Sequence, residues 1–153
     1  MKIEFEILKQ NRKNIIKLIE PYTFEQLNKV PEGFNNNILW NITHLAVTQQ
    51  LLCYKLSGLD SKLNDKLISQ FRKGTAPTVD NQLTEEDFES IKKDFLSLPL
   101  QLEEDYKKGL FTNFKEYTTS ANITLKNIDD AIQFNNFHEG LHFGSILAIR
   151  KFI

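Results

Sequence analysis

The sequence predicts an all-α protein, a four-helix bundle with long connections and one short extra helix. Three features predict it. Four segments place apolar residues three and four apart, which gathers them on one helix face. Those segments are bracketed by residues that start and stop helices: Pro21, the Asn35–Asn37 run, Gly58, Thr84 and Gly109. Alternation of the strand type is weak wherever it occurs. The 153 residues contain no internal repeat or low-complexity tract, so residues 1–153 read as one domain with its own core.

The first helix is expected from about Ile3 to Glu20, with Phe5, Leu8, Ile15 and Ile19 inward and Lys9, Lys13 and Lys17 outward. Arg12 falls within the apolar stripe. Its long aliphatic stem lets it snorkel to solvent, or reach into a pocket. Pro21 stops the helix. Residues 21–37 hold two prolines and a glycine and read as a structured loop. The second helix follows over about Ile38–Leu56, with Gly58 past its end; Trp40, His44, Thr48 and Leu51 or Leu52 share one side.

Residues 58–83 read as a long connection with a short helix over about Lys62–Phe71 and a break at Gly74–Pro77. Thr84 caps the third helix, whose Glu85, Glu86 and Asp87 sit in the positive first turn. Its apolar repeat is Phe88, Ile91, Phe95, Leu98 and Leu102; Pro99 should kink or split it, and Lys107-Lys108-Gly109 ends it. Residues 110–127 look extended or loop-like. Thr124 or Asn127 caps the last helix, which opens with Asp129 and Asp130 and closes near Arg150 and Lys151.

Bulk properties exclude several function classes. Nineteen Lys and Arg are scattered among 20 Asp and Glu, for a net charge of −1, so no basic footprint for nucleic acid exists. Glu4 and Glu6 interrupt the start of the chain, so no secretory signal is expected there. No apolar run approaches the roughly 18 residues of a membrane span. The single Cys53 cannot pair internally, which suits a reducing cytoplasm. Nine residues after His44, it should lie about 180° round the helix as a buried, inert thiol.

The chemistry-bearing feature is histidine. The chain has three, and two of them, His138 and His142, lie one turn apart in HEGLH; His44 is on the second helix. Two side chains four apart on a helix stand about 5–6 Å from each other at Cβ. Phe134, His138, His142, Ser145 and Ile149 form one stripe flanked by Phe137 and Leu141, so both imidazoles are expected to face inward. Taken singly, His44 reads as an ordinary core imidazole. Three imidazoles from two helices, however, can ligate a divalent cation and leave positions open.

HEGLH also fits H-E-x-x-H, in which the Glu is a peptidase general base. Only residues 143–153 follow His142, so the usual downstream ligand is missing, and there is no sheet to hold an extended peptide. Glu139 points about 100° from His138. It reads as a partner of a ligating histidine, a surface acid, or a base. Gly140, Gly144 and Ala148 form a small-residue stripe, which implies close helix packing or a homodimer interface.

With these segments assembled, the chain resembles the DinB-like superfamily of four-helix metalloproteins. The residues that carry the likeness are NNILWNITHLAVTQQLL on the second helix, FRKGTAP in the central connection and FNNFHEGLHFGSILAIRK on the last. The resemblance implies an antiparallel-type bundle and a metal triad of His44, His138 and His142 holding zinc or nickel. Relatives include S-transferases that use low-molecular-weight thiols such as bacillithiol or mycothiol, and thiol-dependent maleylpyruvate isomerases. The expectation is therefore metal-dependent thiol transfer on a small molecule. Trp40 and Thr48 are candidate pocket residues, and Arg12 and Arg150 candidates for gripping a carboxylate. The alternatives are a non-catalytic metal-binding stress protein and a metal hydrolase using Glu139.

Overall fold

The computed structural model of the protein describes residues 1–78 and 82–153. Helix α1 spans Lys2–Ile19 and buries Phe5, Leu8, Arg12, Ile15 and Ile19, the expected stripe. A short helix α2, Phe24–Asn28, occupies the stretch expected to be loop. Thr23 and Gln26 form a reciprocal capping box that starts it, a signal hidden by the neighbouring Pro and Gly residues. Helix α3, Ile38–Gln49, is capped by the Asn37 side chain, which accepts from the Trp40 N–H. It continues as a π-helical turn, Gln50–Tyr54, and a 3₁₀ turn, Lys55–Ser57, before Gly58 turns left-handed at φ 73°. Helix α4 is Asp65–Phe71, shorter than expected because Asn64 caps it. Residues 79–81 of the expected 58–83 connection lie outside the described residues.

Helix α5, Glu85–Lys107, passes through Pro99 without splitting. The proline removes the N–H that would serve the Phe95 carbonyl one turn earlier. The Arg12 Nη1 donates to that carbonyl at 2.9 Å instead, so the missing bond is replaced from α1. A two-residue hairpin, β1 Tyr117–Thr118 with β2 Thr124–Leu125, is tied over the end of α3 by the Lys115 N–H, which donates to the Leu56 carbonyl. Helix α6, Ile128–Ile149, is capped by Asn127, not Thr124.

Four helices make the bundle: α1 beside α5 and α6, and α3 beside the same two. Specific contacts give their directions. Phe5 meets Tyr106 while Arg12 meets Phe95, so α1 and α5 are antiparallel. Asn41 meets His142 while His44 meets His138, so α3 and α6 are antiparallel too. The other two pairs run parallel: Glu4 meets Asn136 and Arg12 meets Glu139, whereas Gln49 meets Leu98 and Tyr54 meets Asp105. The bundle is thus up-down-down-up, not simply antiparallel. A parallel step from α3 to α5 needs a return crossing, which is why the 58–83 connection is long.

The apolar interior falls into two clusters. One gathers Ile15, Ile19, Ile38, Ile42, Phe88, Phe95, Ile146 and Ile149; the other gathers Phe5, Leu8, Leu102, Leu125, Ala131 and Ile132. On α1 and α6 the boundary between them is marked by Arg12 and Glu139. The two glycines of the small-residue stripe do not mediate close packing inside the bundle. A Cβ built on Gly140 or Gly144 meets nothing within 4 Å, so the expected close helix approach is absent at both. No helix among the described residues is long and apolar enough to cross a membrane.

Candidate metal centre and its cleft

Helix α3 presents His44, and α6 presents His138 and His142 from successive turns, antiparallel and facing it. The three rings offer one nitrogen each, all within 4.8 Å of one another. His44 Nε2 stands 3.3 Å from His138 Nε2.

Which nitrogens are free follows from the groups behind the rings. The Phe71 carbonyl lies 2.7 Å from His44 Nδ1. A carbonyl only accepts, so Nδ1 carries the proton and Nε2 presents its lone pair. Asn41 Nδ2 donates to the Asn37 carbonyl at 2.7 Å and to Asn36 Oδ1 at 2.9 Å. That orients the Asn41 amide, leaving Oδ1 to accept from His142 Nδ1 at 2.7 Å. His142 therefore also presents Nε2. His138 Nδ1 is buried without a hydrogen-bond partner among the described residues.

Burial disfavours protonation of all three. It depresses His138 to about 3, helped by the two neighbouring imidazoles, and His142 to about 4 with help from His44. The His44 pKa is also lowered by burial, against the opposing pull of the Phe71 carbonyl. Three neutral imidazoles converge with two rings oriented by hydrogen bonds at the rear, the arrangement that ligating histidines need. The residues fit a divalent cation. No carboxylate or thiol joins the three among the described residues, so protein ligands would not close a four-coordinate shell.

The triad opens onto a cleft of about 580 Å³ lined mainly by apolar side chains, among them Leu51, Leu52, Leu56, Phe134 and Leu141. Trp40 and Thr48 line it as well. The indole stacks on His44 with centroids 4.5 Å apart and planes 10° from parallel, and its Nε1–H donates to Thr75 Oγ1 at 3.1 Å. The end of α4 and the connection after it thus grip both sides of the His44 edge: Phe71 holds the ring and Thr75 holds its stacking partner. Thr48 Oγ1 lies 3.3 Å from His44 Nε2.

Three other candidates lie elsewhere. Arg12 neither snorkels nor enters the cleft. It is fully buried, with Nε and Nη2 donating to Glu139 Oε1 at 3.0 and 2.6 Å, and Nη2 also reaching the Leu45 carbonyl at 3.3 Å. Glu139 is consequently neither a surface acid nor a cleft residue, and no histidine bonds to it. The reason is rotational: 100° from His138, it faces α1 rather than α3. Arg150 lies beyond α6 in a 3₁₀ turn, outside the cleft lining, its carbonyl 3.5 Å from the Tyr22 hydroxyl. Phe137 and Leu141, expected to flank the inward stripe, are 50% and 55% exposed. Cys53 is buried, and burial pushes its thiol up to about 12.

The sequence matches the model of the DinB superfamily over residues 7–146. The chain belongs to this family. None of the curated proteins matches it. Among solved structures it is similar to one described as the crystal structure of the conserved protein of locus from Enterococcus faecalis. The TM-score is 0.63 at 14% identity, over 99% of this chain and 95% of that one. At that identity the likeness speaks for the fold alone. The unexpected members of the site are Asn41 and the Phe71 carbonyl. Asn41 left a sequence signal, an amide three residues before His44 in an apolar helix; a backbone carbonyl leaves none.

Proposed function

We propose that this DinB-superfamily protein is a divalent-metal-dependent S-transferase, using zinc or nickel and a low-molecular-weight thiol. The observation that carries this reading is the triad itself: three neutral imidazoles with converging nitrogens, no fourth protein ligand among the described residues, and an apolar cleft beside them. A closed structural site would need another protein ligand. What a bound zinc or nickel ion supplies is positive charge that favours deprotonation of a thiol near neutral pH.

The chain's own residues do the rest. His44, His138 and His142 hold the cation, and Asn41 and the Phe71 carbonyl fix two of the rings. Leu51, Leu52 and Phe134 keep water from the sulfur, which strengthens electrostatic interactions there. Thr48 has a hydroxyl within reach of the same space and can donate to a sulfur anion. The transfer forms a bond from the thiol sulfur to an electrophilic carbon. The group displaced from that carbon leaves with its bonding pair, and the thiol proton passes to solvent.

The test uses metal-reconstituted protein, glutathione or cysteine as thiol, and monobromobimane as acceptor, with bromide as leaving group. Acceleration above the uncatalysed rate that disappears with chelator, returns with metal and is absent in His142→Ala supports the proposal. Metal-loaded protein that accelerates neither thiol refutes S-transfer with these thiols and favours a bundle that binds metal without turnover.

A further inference from the structure

The cleft continues well beyond the histidines, and its charge is one-sided. Among the described residues of its lining, Lys55 and Lys73 are the ionised side chains and there is no Asp or Glu. Elsewhere Lys9, Lys92, Lys107 and Lys108 are held by glutamates within 2.6 Å, although most described lysines are not ion-paired, so it is the shared cleft without acids that sets Lys55 and Lys73 apart. Among the described residues Lys55 and Lys73 have no carboxylate partner, although acids outnumber bases in the chain by 20 to 19. Two unneutralised ammonium groups over low-dielectric walls make a field that attracts anions.

Their placement puts one ammonium group towards each end of the cleft. Lys73 follows Phe71 by two residues, near the triad. Lys55 lies eleven residues after His44 on the same continuous helical run, so it stands on the order of 15 Å further along the axis. Thr48, Leu51 and Leu52 fill the interval on the cleft side, and Leu56 lies just past Lys55. The π-helical turn Gln50–Tyr54 lies within it and sets which side chains beyond Thr48 face the cleft. The hydroxyl-bearing Tyr117, Thr119 and Ser120 also line the cleft, from the hairpin tied to Leu56.

We propose that the cleft binds an elongated amphiphile, with its anionic group held by Lys55 at the end remote from the histidines and its apolar body along Leu52, Leu56 and Phe134. This identifies the substrate or co-substrate class and rests on the transferase reading for its role in a reaction. Binding itself does not depend on metal.

The test therefore uses chelator-treated protein, with decanoate, decanol and decylamine as probes that share one apolar body. Calorimetry is expected to give the order decanoate, then decanol, then decylamine. Lys55→Gln should weaken decanoate by about five- to tenfold, as loss of one charge-assisted contact does, and leave decanol unchanged. Lys55→Glu should reverse the preference towards decylamine, a gain that a damaged fold cannot produce. Equal affinity for decanoate and decanol, no binding of either, or an unchanged preference in Lys55→Glu would overturn the proposal. Elemental analysis of the same preparation after metal addition scores the metal site separately, so loss of one conclusion leaves the other measurable.

Discussion

Replacing Glu139 by Gln probes a fully buried ion pair. Arg12 and Glu139 have side-chain exposures of 0% and 1%, and one carboxylate oxygen receives both guanidinium bonds. Neutralising the acid leaves a guanidinium in the interior with only the Phe95 and Leu45 carbonyls as acceptors besides the new amide. Removing one partner of a buried ion pair costs about 3–5 kcal/mol. For a chain of this length, each kcal/mol moves the melting temperature by about 2–4 °C, so Glu139→Gln should melt about 6–20 °C lower. Replacing both partners with apolar residues, as in Arg12→Met/Glu139→Leu, should recover much of that loss, because no orphaned charge remains. Thermal and urea unfolding of the two single variants and the double variant measure the coupling directly. Metal content should stay at the wild-type level in any variant that folds. A Glu139→Gln protein of wild-type stability that has lost turnover would refute this reasoning and restore Glu139 as a base.

Removal of the Asn41 amide in Asn41→Leu should weaken metal binding about 10–100-fold by freeing the His142 ring, as titration with a competing chelator would show; unchanged affinity would remove Asn41 from the site. In chelator-treated protein, folded His138 and His142 titrate near 3 and 4, whereas unfolded histidine titrates near 6.5. The unfolded chain then binds more protons below about pH 6.5, so stability should fall as pH drops from 7 to 5.5. His138→Gln/His142→Gln should flatten that slope, measured by urea unfolding; an undiminished slope would assign it to other groups. Gly140→Ala should add up to about 1 kcal/mol of helix stability, since the space for a Cβ is open. A lowered melting temperature would show that something packs on this face.

Much of the fold was legible because it rests on local rules. Periodicity marked α1, α3, α5 and α6, and Asn, Thr and Gly marked their ends. The unread parts depend on tertiary partners. Pro99 promises a break unless Arg12 is known to serve the Phe95 carbonyl, and Arg12 looks misplaced unless Glu139 is known to face it. The parallel helix pairs are likewise invisible, because direction is set by how the long connections cross the bundle. At the site, spacing placed His138 and His142 together, while their meeting with His44 needed the antiparallel packing of α3 on α6. Lys55 and Lys73 drew no notice, since lysines near helix ends are ordinary; only the absence of acids from a shared cleft distinguishes them.

The decisive measurement is elemental analysis of untagged protein, wild type beside His44→Ala. About one zinc or nickel per chain in the wild type, lost in the variant while the helical fold persists, is the predicted result. Wild-type protein that takes up no stoichiometric metal even after reconstitution, or a His44→Ala variant that retains it, would contradict a centre built by these three histidines.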